Sequence, residues 1–263
     1  MKTFVSPHSW FAFDYPENWF EFEEEADEFL FYDPNEWNGN LRISAYRDAN
    51  PNYGQQCVAD ELKQKGARLV KYGPWSAVQT VERFSEEGQS FVTGHWLVGQ
   101  ADTCVECSFT TFADASLQPG EQIVASLKVN PTGKYFHNLL IDVRLMEMME
   151  IDDACAQIEK VAKKALKARF NEFVQSLEVL QKLVDGHELN QLGSNANVLL
   201  GLAFCSLMAE NVDGFDWRTL IDGKMEKPVL VRDGQVVADP RSLFANKECP
   251  IDIFGTLDRL TAK

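Results

Sequence analysis

Cys104 and Cys107 are the one pair in this sequence whose spacing suggests a metal or a redox couple. They sit in CVECSFTTF, whose alternation reads as a strand. Residues an odd number apart on a strand point to opposite faces, so the two thiols cannot readily share an ion. A redox pair would also place its first Cys at a helix N-terminus, where the thiolate is stabilised. A second Cys pair at zinc-finger spacing is missing, and Cys104 and Cys107 are read as small apolar members of a sheet. Four histidines, His8, His95, His137 and His187, are dispersed without a local metal pattern. His95, in GHWLVG beside Trp96, is read as a strand residue, although folding can bring any of the four beside a Cys or an Asp. HExxH, GxSxG, GxxxxGK and the glycine-spaced dinucleotide fingerprint are absent. No catalytic residue, metal or cofactor is assigned.

The acidic run EFEEEADE is the most distinctive local feature. Glu23, Glu24, Glu25, Asp27 and Glu28 fall where a hairpin turn is expected, and ten acids lie between Asp14 and Glu36 with no Lys or Arg from residue 3 to 41. The run reads as a solvated turn or as a docking surface for a basic partner, since clustered like charges steer association. It lacks the alternating oxygen ligands and turn glycine of a calcium loop. Trp37, in DPNEWNGN, lies in a turn-rich stretch, where a tryptophan beside acids suits an interface anchor or a partly buried loop residue. Lys160, Lys163, Lys164 and Lys167 form a basic strip on the polar side of a helix; without interleaved aromatics it is a poor nucleic-acid site.

The formal net charge is −15, and residues 1–131 hold 20 acidic and 9 basic side chains against 20 and 16 in 132–263. Such a field disfavours nucleic acid and anionic membranes. The first residues offer no apolar signal segment, and the longest apolar run, 196–209, is short for a bilayer and reads as a buried core helix. The six cysteines then read as reduced thiols, which implies a cytoplasmic protein.

A length of 263 residues suits two domains. No proline lies between Pro131 and Pro228, and within that gap the apolar period changes from about two to about 3.6. The expected division is 1–131 and 132–263. In the first part, aromatic strands over 10–15, 19–22 and 29–32 precede an alternating strand at 41–45. A helix over 54–66 buries Val58, Ala59 and Leu62; strands follow at 76–84, 90–98 and 103–112, then a short helix at 121–127. In the second part, a helix is expected over 136–146 and another from an Asp152 or Asp153 cap to Asp185–Gly186. A third starts near Ser194, and strands follow at 215–221, 229–232 and 235–238, the last two joined by Asp233–Gly234. The fold class is α+β: an antiparallel sheet packed with helices, then helices with a small antiparallel sheet.

FDYPENW (13–19), the strand pair after it and EQIVASLKV (121–129) resemble the PsbP-like superfamily, which includes extrinsic photosystem subunits, a Ran-binding import factor and secretion chaperones. The resemblance implies an antiparallel sheet scaffold used mostly for binding proteins. FDWRTLIDG (215–223) and VLVRDGQVVADP (229–240) resemble a bacterial domain of unknown function, which informs fold only. The expected function is non-catalytic protein binding, of chaperone or immunity type, engaging a basic partner through Glu23, Glu24, Glu25, Asp27, Glu28 and Trp37. The alternative is a small-molecule-binding protein or an enzyme with an unrecognised site between the domains.

Overall fold

The computed structural model describes residues 1–22, 28–72, 75–246 and 250–262. In chain order the elements are β1 (Lys2–Val5), β2 (Phe11–Tyr15), β3 (Phe20–Phe22), β4 (Glu28–Tyr32), β5 (Asn40–Arg47), α1 (Tyr53–Glu61), β6 (Arg68–Tyr72), β7 (Trp75–Glu86), β8 (Gln89–Gln100), β9 (Thr103–Phe112), α2 (Gln118–Ser126) and β10 (Lys128–Val129). There follow β11 (Leu139–Asp142), α3 (Leu145–Ala165), α4 (Phe173–Asp185), α5 (Ala196–Asn211), β12 (Phe215–Asp222), β13 (Met225–Arg232), β14 (Gln235–Ala238) and α6 (Ile253–Thr261). The fold is α+β, with sheet orders β3-β4-β5-β9-β8-β7-β6, β1-β2-β10 and β11-β12-β13-β14. One compact unit takes Met1–Ile141 with Ile221–Glu226; the other takes Asp142–Leu220 with Lys227–Lys263.

In the first unit, β7 and β8 turn through Glu87 and Gly88, both with positive φ (52° and 82°). That is the geometry of a tight primed turn, whose twist matches the strands it joins. The register is unbroken from β4 to β7, so alternation assigns every side chain to a face. One face holds Ile43, Trp96, Val105, Cys107 and Phe109, and packs with Phe13, Trp19, Ile123 and Leu127 into an aromatic core. The Trp96 ring lies across Gly94 and against Gly120, where any added Cβ would come within 3.0 Å of it. Its indole N–H donates to the Tyr72 hydroxyl at 2.9 Å, satisfying the one polar atom of the buried ring.

The opposite face is covered at one end by α1. The helix docks through backbone: the Gly54 N–H donates to the Ala101 carbonyl at 2.7 Å, and a Cβ on Gly99 would lie 1.9 Å from the Gly54 oxygen. The apolar face expected of this helix is not what buries it. Leu62 and Ala59 are exposed and Gly54 is its one buried residue, because contact between two glycine backbones brings the helix closer than side chains would allow.

The second unit packs α3, α4 and α5 with β12 and β13 around Ile158, Leu180, Leu200, Phe204, Trp217 and Leu230. Three expectations are corrected. Residues 139–142 are a strand rather than part of a helix, with the left-handed Asn138 before it and an extended Arg144 after it; a short apolar run fits either period. Asp152 and Asp153 do not cap a helix but stand exposed within α3, which begins at Leu145. The long helix expected to reach Asp185 breaks after Ala165, where Lys167 adopts φ 56°, and resumes as α4. Near the start of α3, Arg144 and Glu147 are buried at 2% and 4% exposure and form a two-pronged pair, the guanidinium Nε donating to both carboxylate oxygens at 2.9 and 3.1 Å.

Two stability predictions follow from these contacts. Gly99→Ala forces α1 away from the sheet and costs about 1–3 kcal/mol in urea unfolding, since neither backbone can yield to the extra atom. Glu147→Ala leaves a guanidinium buried beside a vacated carboxylate and costs about 3–5 kcal/mol in the same measurement.

Candidate functional site

The sheet face opposite the aromatic core carries the polar side chains of the first unit. Alternation places Arg42, Ser44, Thr80, Glu82, His95, Leu97, Glu106 and Ser108 together, because Ser44 pairs with Glu106, Glu106 with Leu97, and His95 with both Ser108 and Thr80. Glu28 joins this face through its pairing with Ser44. The helix α1 contributes Glu61 at its end, and Gln64 and Lys65 follow in the next turn. These groups line a cleft of about 540 Å³ with Val78 and Leu97 as its apolar floor.

The cleft is acidic. Glu28, Glu61, Glu82 and Glu106 face Arg42, Lys65 and His95. Partial loss of solvation, then the nearby carboxylates of Glu61 and Glu28, push the Glu106 carboxyl above its ordinary range, with His95 opposing them. His95 Nε2 lies 3.9 Å from Glu82 Oε2, an exposed pair at the rim. Among the described residues, no group of three His, Cys, Asp or Glu is placed to hold a metal ion. Cys104 and Cys107 lie on opposite faces. Cys107 is in the aromatic core, whereas Cys104 is buried and interacts with Cys57 of α1; burial raises both thiols well above their usual range.

A second cleft, about 530 Å³ and wide open, lies farther along the same face. Phe84, Phe91 and Phe112 are neighbours across β7, β8 and β9, stacked at centroid distances of 5.4 and 5.8 Å. Trp37 meets Phe112 edge-on at 4.7 Å and Phe91 at 6.0 Å. The loop bearing Trp37 is fixed at both ends. Buried Asp33 accepts from the Asn35 N–H at 2.8 Å and from Asn18 at 2.6 Å, which hold its carboxyl below the ordinary range. The Thr111 hydroxyl donates to the Asn38 carbonyl at 2.8 Å, and Gly39, at φ 135°, sits so close to the Phe109 ring that a Cβ would clash. Glu86 and Glu87 flank the aromatics.

Of the residues singled out in the sequence, Glu28 is exposed at the first cleft and Trp37 is half-buried at the second. Glu23, Glu24, Glu25 and Asp27 lie outside the described residues. Lys160, Lys163 and Lys164 are exposed on α3. Sequence reasoning missed Glu61, Glu82 and Glu106 as members of one site. The alternation that put Cys104 and Cys107 on opposite faces also puts Glu106 opposite the core, yet pairing it with Ser44 requires the strand order.

These features define an α+β chain whose large sheet leaves a polar, cleft-bearing face. The chain belongs to the DUF3805 family, a domain of unknown function whose model matches residues 1–152, and a second domain of unknown function, DUF3806, matches residues 176–247. A crystal structure from Bacteroides thetaiotaomicron VPI-5482, at 1.50 Å resolution, is 33% identical, covers 99% of this chain and 98% of its own, and superposes with a TM-score of 0.92. LpqN of Mycobacterium tuberculosis is 13% identical with a TM-score of 0.32, over 46% of this chain and 83% of its own. The cyanobacterial PsbP of Synechocystis sp. PCC 6803 is 14% identical with a TM-score of 0.26, over 49% and 92%. The PsbP-like resemblance is therefore distant and partial. No curated protein matches the chain.

The electrostatics of Glu106 give a pH-dependent prediction. A carboxyl raised by folding favours the folded chain below its unfolded value, and that contribution is lost as pH rises through the raised one. Glu106→Gln should therefore raise the melting temperature at about pH 7, with the gain vanishing near about pH 4, where both states are largely protonated. Thermal melts at the two values check it.

Proposed function

We propose that this chain is a non-catalytic protein-binding module whose open sheet face receives a basic segment of another protein. One observation carries the reading: Glu106 sits in a cleft with Glu28 and Glu61, and its carboxyl is held above the ordinary range by desolvation and by those neighbours. A Lys or Arg side chain entering the cleft relieves that repulsion, so a cation binds most favourably where the empty site is least comfortable. The net charge of −15 adds long-range attraction for a basic partner. The acidic stretch between Glu23 and Glu28 extends this preference along the sequence.

A labelled oligo-arginine peptide tests the reading by fluorescence anisotropy at low salt. Replacing Glu28, Glu61 and Glu106 together by Gln should weaken binding by about tenfold or more, the scale of a lost charge-assisted contact. Replacing exposed Asp152, Asp153 and Glu159 by their amides makes the same change in net charge and should leave binding nearly unaltered. Equal losses in the two triple variants would overturn the proposal, because only the overall field would then matter.

A further inference from the structure

We infer that the aromatic cleft is the second half of the same docking face. Its occupant is an extended peptide segment that places a Lys or Arg among the cleft carboxylates and an apolar or aromatic side chain against Trp37, Phe91 and Phe112. The inference rests on the basic-partner reading above and adds the form and sequence pattern of the partner.

Register supplies the argument. Glu106, Ser108 and Phe112 lie on one face of β9, as His95 and Phe91 do on β8, and the pairing between these strands is continuous. At a strand rise of about 3.3 Å, the aromatic row stands about 13 Å from His95 and about 20 Å from Glu106. An extended peptide spans these distances with about four to six residues, and an even separation turns both side chains toward the sheet. Residues 81–90 of the β7–β8 hairpin are all exposed, Phe84 among them, so the edge of the aromatic row is open to solvent. Ring faces and edges reward an apolar or aromatic side chain, while Glu86 and Glu87 at the rim repel an acidic one and favour flanking basic residues. Charge selection at one cleft and ring contact at the other then act on a single segment, and linking the two raises affinity over either alone.

The probes are fluorescein-labelled Gly/Ser peptides carrying an Arg pair alone, or the Arg pair with a Phe placed about two, four, six or eight residues away. A Phe at the four- or six-residue separation should tighten binding by about tenfold over the Arg-only peptide, and a Phe at two residues by much less. Phe84→Ser and Trp37→Ala should each reduce that increment, read as the ratio of Phe-bearing to Arg-only affinity within the same variant. Because Phe84 is exposed, its replacement tests the cleft without disturbing the core. Tightening that is the same at every separation, or that persists in full in both variants, would overturn the inference while the basic-partner reading stands. An Arg-only peptide that binds equally well with and without Glu28, Glu61 and Glu106, or does not bind, would overturn that reading and this inference with it.

Discussion

The structure of the first unit depends on burying one face of a seven-stranded sheet and leaving the other largely unburied. Trp96 is the centre of that burial. Its ring occupies space that side chains at residues 94 and 120 would otherwise take, and Phe109 packs against Gly120 and stacks on Trp19. Two glycines thus let the largest side chain lie flat between sheet and helix. Burying an aromatic of this size contributes on the order of 2–3 kcal/mol, and the Tyr72 hydroxyl prevents the indole N–H from cancelling part of it. With the aromatics of β2, the apolar residues of α2, and Trp96 and Phe109 committed to this side, the opposite face keeps room for charge beyond what α1 covers.

That room is limited by α1. A helix held by side-chain packing would need its own apolar stripe and would cover more of the sheet. Here the contact between Gly54 and Gly99 holds the helix at one end of the sheet, where its nine residues extend about 13 Å. The helix lies over β8 and β9 and delivers Glu61 to the cleft instead of closing it. Partial burial, with the carboxylates of Glu61 and Glu28 brought near it, raises the Glu106 carboxyl and so disfavours its charged form in the fold. Local destabilisation at an otherwise well-packed sheet is what the proposed binding face is expected to show.

Much of the fold was legible because its signals are local. Alternation in 41–45, 90–98 and 103–112 marked strands, and Glu87–Gly88 and Asp233–Gly234 marked their turns, since only a few residue types tolerate two successive positive φ values. The failures have physical causes as specific as the successes. Leu139 and Leu140 satisfy a helical period by spacing alone, while the strand depends on pairing with a distant segment. Asp152 and Asp153 are good caps by residue type, but a helix that begins at Leu145 carries them as exposed mid-helix residues. The stripe running from Ile158 to Leu180 is continuous in composition, yet Lys167 in the left-handed region divides it, and no residue there announces a break.

The candidate site was legible only in its outlying members. Glu28 and Trp37 stand out in sequence because each lies in an unusual local context, an acidic run and a turn-rich loop. Glu61, His95 and Glu106 look ordinary where they stand, and nothing about their spacing brings them together. The β8–β9 hairpin sets His95 near Glu106, α1 delivers Glu61, and the order β5-β9-β8, in which a late strand inserts beside an early one, brings Ser44 and Arg42 to them. The same order explains why Glu28 and Trp37, nine residues apart, serve opposite ends of one face: β4 leaves the Glu28 end and the following loop returns Trp37 over Phe112. Proximity in sequence here means separation along the strand, while proximity in the site comes from register across strands.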